Sequence, residues 1–392
     1  MIKKNENIKL LSHIQREDRN VTKNTLRRFN TAKESAQSVE MPNRSDLLEI
    51  YKDCLDNDGH LFDIISQRKK RITGLNFQIV QQKNKIDEKL TKIFSEQWFE
   101  YFLNYAMDTI FWGNSLLEFE YNQGINITLV PREHVIPETQ MVKYSQWNYS
   151  GDIDYTAPVY SKHLLELNNE NDPTNLGLLL TLAQYSIFKT DSTYNWLQYA
   201  ELFGQPTRVF TTDSTNPAEL NKIHQFAKEA GKSGYAIVNS NTELDFKESN
   251  SNHNDLFKGI NKYLNDEMSK AVLGATMLTD DGSSRSQADV HKSVSYLITK
   301  SDIKLIEYII NDQLLPLLND LKVFGYKKVE FKFIDSEIYS VEERLKINEF
   351  LLSKFDVDID YFENMYDVDL KPKKEVEVKE VKKETDGKTD KG

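Results

Sequence analysis

The chain has 392 residues, 39% of them hydrophobic and 11% aromatic, which is enough for more than one core and argues against a disordered chain. Its formal net charge is −11, which opposes capture of nucleic acid by clustered Lys and Arg. Cys54 is the single cysteine, so an intramolecular disulfide is excluded and a buried, inert thiol is expected. No apolar run reaches the roughly 18 residues of a membrane span, and the first residues lack a signal-peptide core, so we expect a protein that is cytoplasmic at synthesis.

The first 172 residues predict a polar arm followed by a mixed α/β body. Residues 1–40 are locally basic with little periodicity, which is typical of a flexible arm that orders against a partner. The elements predicted for the body are two short helices over 44–67 with a break near Asp-Asn-Asp-Gly at 56–59, a strand over 71–81, helical spacing over 86–112 that ends at Gly113, a hairpin around Asn-Gln-Gly at 122–124, and a strand near 158–167.

Two long helices with a small α/β insert between them are predicted next. The pattern over 172–204 predicts a helix with Pro173 near its start and Gly204 at its end. The insert over 205–248 has strand and helix patterns in turn. A second helix over 252–273 is predicted to have one apolar stripe of Leu256, Phe257, Ile260, Tyr263, Leu264, Met268 and Val272. Its other face has Lys258, Asn261, Lys262, Asn265 and Ser269.

A polar loop separates that helix from the next helical pattern, in the stretch AVLGATMLTDDGSSRSQADVH at 271–291. Ser286 and Asp289 resemble a capping box, and the apolar spacing then continues over 294–321, where Pro316 should kink the helix. The remaining predictions are a strand over 327–335, short helices over 340–370 and a disordered tail over 371–392.

Catalytic and metal-binding patterns are weak in this chain. Gly-Lys-Ser-Gly at 231–234 lacks the earlier glycine of a phosphate-binding loop. Asp356, Asp358 and Asp360 are spaced like calcium ligands, but Tyr361 stands where such a loop needs glycine. The histidines are scattered, and with a single cysteine they do not form a zinc pattern. We therefore expect no metal and no cofactor.

Three stretches resemble the Mu-type portal family of tailed bacteriophages. They lie at 56–72, 195–208 and 273–291, and the first is the weakest. The residues that match the family's motifs are Trp196, Glu201, Phe203, Gly204, Pro206 and Arg208 in the second stretch, and Leu273, Gly274, Thr276, Leu278, Thr279, Gly282, Ala288 and His291 in the third. Met277 and a longer Ser-Ser-Arg-Ser-Gln run depart from the family's pattern at the tip of the loop.

The resemblance implies an α+β portal fold whose parts follow one another along the chain. The implied parts are a flexible arm at 1–40, a wing at 41–172, stem helices at 173–203 and 251–273, a clip at 204–250, a tunnel loop at 274–287, a kinked helix and closing wing strand at 288–339, a helical crown at 340–370 and a tail at 371–392.

The resemblance also implies a structural function without catalysis. About twelve subunits would form a ring at the unique capsid vertex, around the channel through which double-stranded DNA is packaged and ejected. The implied partners are the terminase large subunit, a head-completion or adaptor protein, and the major capsid and scaffold proteins, with no membrane. The protein would assemble in the host cytoplasm and remain in the virion.

The residues implied to line the channel come from the loop and from one stem helix. The loop residues are Thr276, Thr279, Asp280, Asp281, Gly282, Ser283, Ser284 and Arg285, and the stem residues are Lys258, Asn261, Lys262 and Asn265. Glycine would supply backbone freedom, and rings of Asp280 and Asp281 would repel phosphate. Arg285 has two equal interpretations, a contact with the DNA backbone or an ion pair with a neighbouring subunit. The residues expected to be structural are Trp196, Glu201, Gly204, Pro206, Arg208, Gly274, His291 and Pro316.

Three other interpretations stay open at this point. The loop is also compatible with an ordinary helix–helix turn, since loops of this length are common. Asp280, Asp281 and Asp289 could hold Mg²⁺ in a nuclease, although a Gly-Ser loop holds carboxylates loosely. A filament or scaffold adaptor would instead recruit partners through the charged tail at 371–392.

Overall fold

The computed structural model describes residues 10–14, 24–81, 85–121, 124–145, 151–203, 208–229, 235–241, 253–276, 285–324, 328–334 and 341–366. The chain divides into two compact units, residues 1–334 and residues 335–392. Helices and strands both contribute to the first unit, so the predicted α+β class is confirmed. None of the helices within these ranges combines the length and the apolar character that a bilayer crossing needs.

The helices and strands have the following bounds. The helices of the first unit are α1 (Leu26–Ala36), α2 (Ser45–Asn57), α3 (Gly59–Thr73), α4 (Glu88–Phe94), α5 (Gln97–Trp112), α6 (Leu179–Phe203), α7 (Pro217–Glu229), α8 (His253–Leu273), α9 (Arg285–Ile309) and α10 (Leu315–Asp320). The strands are β1 (Phe77–Gln81), β2 (Asn114–Tyr121), β3 (Ile125–Leu129), β4 (Val135–Ile136), β5 (Met141–Val142), β6 (Ile153–Asp154), β7 (Leu164–Asn168), β8 (Arg208–Thr211), β9 (Tyr235–Val238) and β10 (Val329–Phe333). The second unit has α11 (Val341–Lys354) and α12 (Ile359–Tyr366).

The strands pair in four small sheets. Two three-stranded antiparallel sheets have the orders β3-β2-β7 and β4-β5-β6. Strands β1 and β10 pair antiparallel although about 250 residues separate them along the chain, with Phe77 opposite Phe333. Strands β8 and β9 pair in parallel, and α7 forms the connection between them, as parallel neighbours require.

A helical core joins α1, α2, α3, the end of α5, the first half of α6 and the second half of α8. Its fully buried side chains include Leu47, Ile50, Tyr51, Leu61, Ile64, Leu179, Leu182, Met268 and Val272. Each of these helices buries one apolar stripe against the others, so the long helices are held mainly where they meet α2 and α3. The C-terminal strand β10 adds Phe331 and Phe333 to an aromatic cluster with Phe77 and Phe99.

The beginning of the chain corrects the prediction of a flexible arm over 1–40. Helix α1 buries Phe29, Ala32 and Ala36 in the helical core, and Arg28 donates to Asp46 Oδ1 from Nε at 3.1 Å. Leu10 is buried as well, and its backbone N–H donates to Glu118 Oε1 at 2.7 Å. The prediction is wrong for these parts because their packing partner is the same chain.

Several element predictions between 44 and 129 are confirmed. The break between α2 and α3 falls at Asp58, whose side chain accepts from the backbone N–H groups of His60 and Leu61 as an N-cap. Helix α5 ends at Gly113, which has a φ of 89°. The hairpin is formed by β2 and β3.

Two predicted boundaries differ from the structure. Helix α6 begins at Leu179 rather than near Pro173, because Leu178 donates its N–H to Ile110 O of α5 and Gly177 has a positive φ of 73°. Strand β1 begins at Phe77, since α3 continues to Thr73.

The apolar stripe predicted on α8 divides into two halves. We call residues 253–263 the distal half and residues 264–273 the proximal half of α8. The buried members are Leu264, Met268 and Val272, and the exposed members are Leu256, Ile260 and Tyr263. At 3.6 residues per turn, the three exposed members lie roughly a third of a turn around the helix from the three buried ones. The predicted stripe is therefore not one buried face, and in the distal half α8 contacts α6 through Phe257.

The interruption predicted at Pro316 is present as a wide π-helical turn over Ile310–Leu314. Leu315 donates its N–H to Ile310 O, five residues earlier, directly before the proline. Proline has no N–H for the carbonyl four residues back and its ring collides with it, so the wider turn accommodates the disruption. Asn311 in this turn accepts from Phe331 N at 2.7 Å, which fixes β10 beside it.

Some predictions lie outside the described residues. These are the strand over 243–248, the Gly-Lys-Ser-Gly stretch at 231–234, the side chains of Ser286 and Asp289, and the tail at 371–392.

Candidate functional site

The candidate site is the polar loop between α8 and α9, together with the helix ends that hold it. The predicted loop residues Thr279, Asp280, Asp281, Gly282, Ser283 and Ser284 lie outside the described residues. Thr276 is described and half-buried, while Arg285 and His291 are described in their helical backbone alone. The arrangement of the acidic side chains therefore stays a prediction, and the structure defines how the loop is anchored.

Gly274 anchors the beginning of the loop. It has a φ of 76°, and its N–H donates to Lys270 O at 3.0 Å, which closes the last turn of α8. A Cβ at this position would lie 2.6 Å from Ile298 Cδ1 and 2.8 Å from Val294 Cγ1 of α9. Only glycine allows both the left-handed conformation and this close approach of α8 to α9, so the motif glycine has a steric reason.

Arg68 of α3 connects the helices on both sides of the loop. Its Nη1 donates to Val272 O at the end of α8 at 3.0 Å. Its Nε and Nη2 donate to the two carboxylate oxygens of Asp302 of α9, both at 2.8 Å. The pair is largely buried, and the guanidinium also lies 5.8 Å from the centre of the Phe111 ring. This bidentate geometry positions α8 and α9 against one side chain of the body.

Arg71 adds a second contact from α3 to α9, through a hydrogen bond from Nη1 to Ser295 Oγ. Burial of the guanidinium lowers the pKa of Arg71, and the nearby Arg68 lowers it further. Two arginines one turn apart therefore hold the middle of α9 at Ser295 and Asp302. Since Arg68 also binds the carbonyl of Val272, α3 contacts the helices on both sides of segment 277–284.

Sequence reasoning did not identify these anchors. Arg68 and Asp302 are separated by 234 residues, so no local spacing indicates their pairing. The only hint in the sequence was the run of four basic residues at 68–71, within the weakest of the three family-like stretches. The run does not indicate which of them binds α9, because Arg68 and Arg71 contact α9 whereas Lys69 Nζ lies 2.7 Å from Asp108 Oδ1 of α5.

The polar residues predicted on one face of α8 differ in their surroundings. Lys258 and Lys262 are exposed. Asn261 donates from Nδ2 to Thr193 Oγ1 of α6 at 3.2 Å, and the side-chain oxygen of Asn265 is buried. The asparagines therefore lie at the edge of this face that packs within the chain, and its role in lining a channel stays a prediction.

The remaining motif residues are distributed along α6 and the element that follows it. Trp196 is half-buried and Glu201 is exposed, both on α6. Gly204 and Pro206 lie outside the described residues, and Arg208 is described as the first backbone position of β8. The described positions of these residues lie on α6 and β8, whereas α8 and α9 flank the loop.

Metal-binding chemistry has no support in the described ranges, which contain no group of three or more His, Cys, Asp or Glu residues able to hold an ion. Asp280 and Asp281 of the nuclease alternative lie outside those ranges, as does the side chain of Asp289.

Comparisons with known proteins match this chain to phage proteins. The chain is 27% identical over 312 residues to the portal protein of Escherichia phage Mu, covering 74% of this chain and 60% of that protein. It is 23% identical over 327 residues to the Mu-like prophage FluMu protein gp29 of Haemophilus influenzae, covering 73% of this chain and 60% of that protein. The chain thus spans about 60% of the length of these two relatives.

Two solved structures are similar at lower identity. The HK97 family phage portal protein from Corynebacterium diphtheriae has a TM-score of 0.42 at 11% identity, over 78% of this chain and 97% of that one. The neck of an empty GTA particle has a TM-score of 0.45 at 9% identity, over 79% of this chain and 90% of that one. A family model for the portal protein of Mu bacteriophage matches residues 48–368, from α2 to beyond α12. The chain belongs to this family of Mu-type phage portal proteins.

Proposed function

We propose that this chain is a portal subunit and that about twelve copies form a closed ring at one capsid vertex. The observation that carries the proposal is the family match over residues 48–368, which includes the long helices α6, α8 and α9, the loop between α8 and α9, and the two helices of the second unit. The ring encloses a channel for double-stranded DNA during packaging and ejection. The subunit contributes no catalysis and needs no cofactor.

The loop between α8 and α9 is proposed as the part of the channel wall that meets DNA. The contacts on both sides of the loop support this. Gly274 and Arg68 hold the end of α8, Arg68 also binds α9, and the segment 277–284 between the two helices is rich in Gly, Ser and Asp. Asp280 and Asp281 would present rings of negative charge that repel phosphate and so prevent tight capture. Lys258 and Lys262, exposed on α8, would supply a weak positive stripe above the loop.

The region from β8 to β9 is proposed as the docking platform of the ring. Its βαβ arrangement forms a small compact body at the far ends of α6 and α8, where the two long helices leave the helical core. The packaging terminase large subunit and later a head-completion protein would bind there. The major capsid and scaffold proteins would contact the part of the chain that contains the two three-stranded sheets. The protein would assemble in the host cytoplasm and stay at the virion vertex.

The assembly state is the first test of the proposal. Purified protein is measured by mass photometry and imaged by negative-stain microscopy. A closed ring with a central hole and a mass near twelve times that of one chain is the expected result. A protein that stays monomeric under every assembly condition, with and without scaffold protein, contradicts the proposal.

The loop provides a second test, which separates a conduit from a scaffold adaptor. Removing residues 280–284 should leave ring mass unchanged and reduce the amount of DNA packaged or retained. The matched variant lacks residues 371–392 and should keep both ring mass and packaging. If the tail deletion abolishes function while the loop deletion does not, the adaptor interpretation replaces the conduit.

A further inference from the structure

Helix α9 has an exposed face that is both apolar and basic. Leu297, Lys300, Lys304 and Tyr308 recur at helical spacing along it, and Leu297 and Tyr308 are each 63% exposed. Asp302 and Ser295, which bind the arginines of α3, lie on the opposite side of the helix. The exposed face therefore points away from α3. Large apolar side chains on both sides of two lysines are typical of an interaction surface.

A cavity of about 670 Å³ lies at the other end of α3, between α2, α6 and the first turn of α3. Its charged lining residues are Asp53, Asp58 and Lys189, which leaves one net negative charge, and Arg28 Nη1 of α1 lies 4.0 Å from Asp53 Oδ2. Its exposed edge contains Tyr194 and the 63% exposed Leu197. A cavity with apolar side chains at its edge and carboxylates in its lining suits a lysine side chain. The aliphatic stem would contact the edge and the ammonium group would face the carboxylates.

Asp58 has unused hydrogen-bonding capacity in this cavity. Its Oδ1 accepts from Lys189 Nζ at 2.6 Å and from the N–H groups that it caps. Its Oδ2 is buried and has no donor in the described part of the chain. A buried acceptor without a donor costs free energy, and a cationic donor from outside the chain would offset that cost.

The two surfaces cannot meet within one chain. Gly59 at the cavity lies 9 residues before Arg68 and 12 residues before Arg71, or about 14–18 Å along the axis of α3. The face of α9 also points away from α3. A basic surface and an acidic cavity that are complementary but separated suit a heterologous contact, in which each copy offers a different surface to each of two neighbours.

We propose that the exposed face of α9 in one copy docks into the cavity between α2 and α6 of the next copy. Leu297 and Tyr308 then cover Tyr194 and Leu197, and the lysines between them reach toward Asp53 and Asp58. This contact rests on the proposed ring and assigns it a pair of surfaces.

Cysteine cross-linking tests the contact directly. Cys54, the native cysteine, is buried but lines the same cavity, so every variant also has Cys54→Ala. A chain with both Leu297→Cys and Leu197→Cys is oxidised after assembly and run on a denaturing gel. The expected result is a ladder of covalent multimers, which neither single variant gives.

A matched pair controls for random collisions. Leu297→Cys combined with Phe226→Cys on α7 has the same kind of exposed positions, since Phe226 is 64% exposed, and should give no ladder. Mass photometry before oxidation separates the outcomes. Rings that form without a ladder overturn this contact and leave the ring proposal intact, with the α9 face assigned to another partner. If the unmodified chain forms no ring, both proposals fail.

Charge reversal tests the role of the lysines. Lys300→Glu with Lys304→Glu should raise the protein concentration needed for half-assembly by about tenfold or more, because two cations that face carboxylates become anions. Lys346→Glu with Lys354→Glu on α11 changes the charge by the same amount at exposed positions and serves as the control. Circular dichroism verifies that both variants fold. Equal assembly of the two variants would contradict the assigned contact.

Discussion

The two halves of α8 both have apolar residues at helical spacing, and these residues have opposite surroundings. In the proximal half, Met268 and Val272 are fully buried beside α2, α3 and α6, and Arg68 Nη1 donates to the carbonyl of Val272. In the distal half, Leu256 and Tyr263 are exposed, and Gly259 has open space where a Cβ would be. The proximal half is thus stabilised by packing within the chain, whereas the distal half has an apolar surface that the described residues leave exposed.

The largest expected effect breaks the proximal anchor. Asp302→Ala leaves Arg68 buried without its carboxylate and should lower the free energy of unfolding by about 3–5 kcal/mol. Denaturant unfolding followed by circular dichroism measures the loss. The control is Lys270→Ala, which removes the exposed ion pair with Glu267 and should cost less than about 0.5 kcal/mol. Similar losses for the two variants would show that the buried pair does not anchor α9.

A smaller effect separates the two halves by packing alone. Met268→Ala creates a cavity in the helical core and should cost about 2–5 kcal/mol, whereas Tyr263→Ala in the distal half should change unfolding of the dilute, unassembled chain by less than about 0.5 kcal/mol. The comparison is made in the same denaturant series. A loss at Tyr263 as large as that at Met268 would mean that the distal stripe is already covered within one chain.

The smallest effects come from the two glycines of α8 and its cap, and they have opposite signs. Gly274→Ala forces an alanine into a positive φ against Ile298 and should destabilise the chain by more than about 1 kcal/mol. Gly259→Ala meets no atom within 4 Å and should stabilise the helix by about 0.5–1 kcal/mol. Melting temperatures measured side by side decide this. Destabilisation by both variants would contradict the open surroundings of Gly259.

Local patterns predicted the elements whose causes are local. The bounds of α8 were predicted within one residue, because apolar spacing and a glycine cap act over a few neighbouring positions. The break between α2 and α3 was predicted from the same kind of signal, a short polar turn with Asp and Gly. The start of α6 was not predicted correctly, because Leu178 donates its N–H to a carbonyl of α5 and the helix begins only at Leu179.

The candidate site was predicted as a segment rather than as a geometry. The family-like motif identified Gly274 before its steric role was visible, and the structure supplied the reason in Ile298 and Val294. The predicted polar face of α8 contains two lysines and two asparagines, but Asn261 donates to Thr193 of α6 rather than facing solvent fully. A single helix pattern does not contain the direction from which its neighbours approach.

By itself, the sequence predicted the long helices, the hairpin of β2 and β3, the polar loop between α8 and α9 and the family resemblance, because these depend on neighbouring residues and short motifs. The tertiary structure alone decided that α1 belongs to the core, that Arg68 meets Asp302, and that β1 pairs with β10. Each of these joins residues far apart in the chain, so each depends on how several helices bury their stripes together. The division of α8 has the same origin, since burial depends on whether a neighbour reaches a face as well as on the residues that form it.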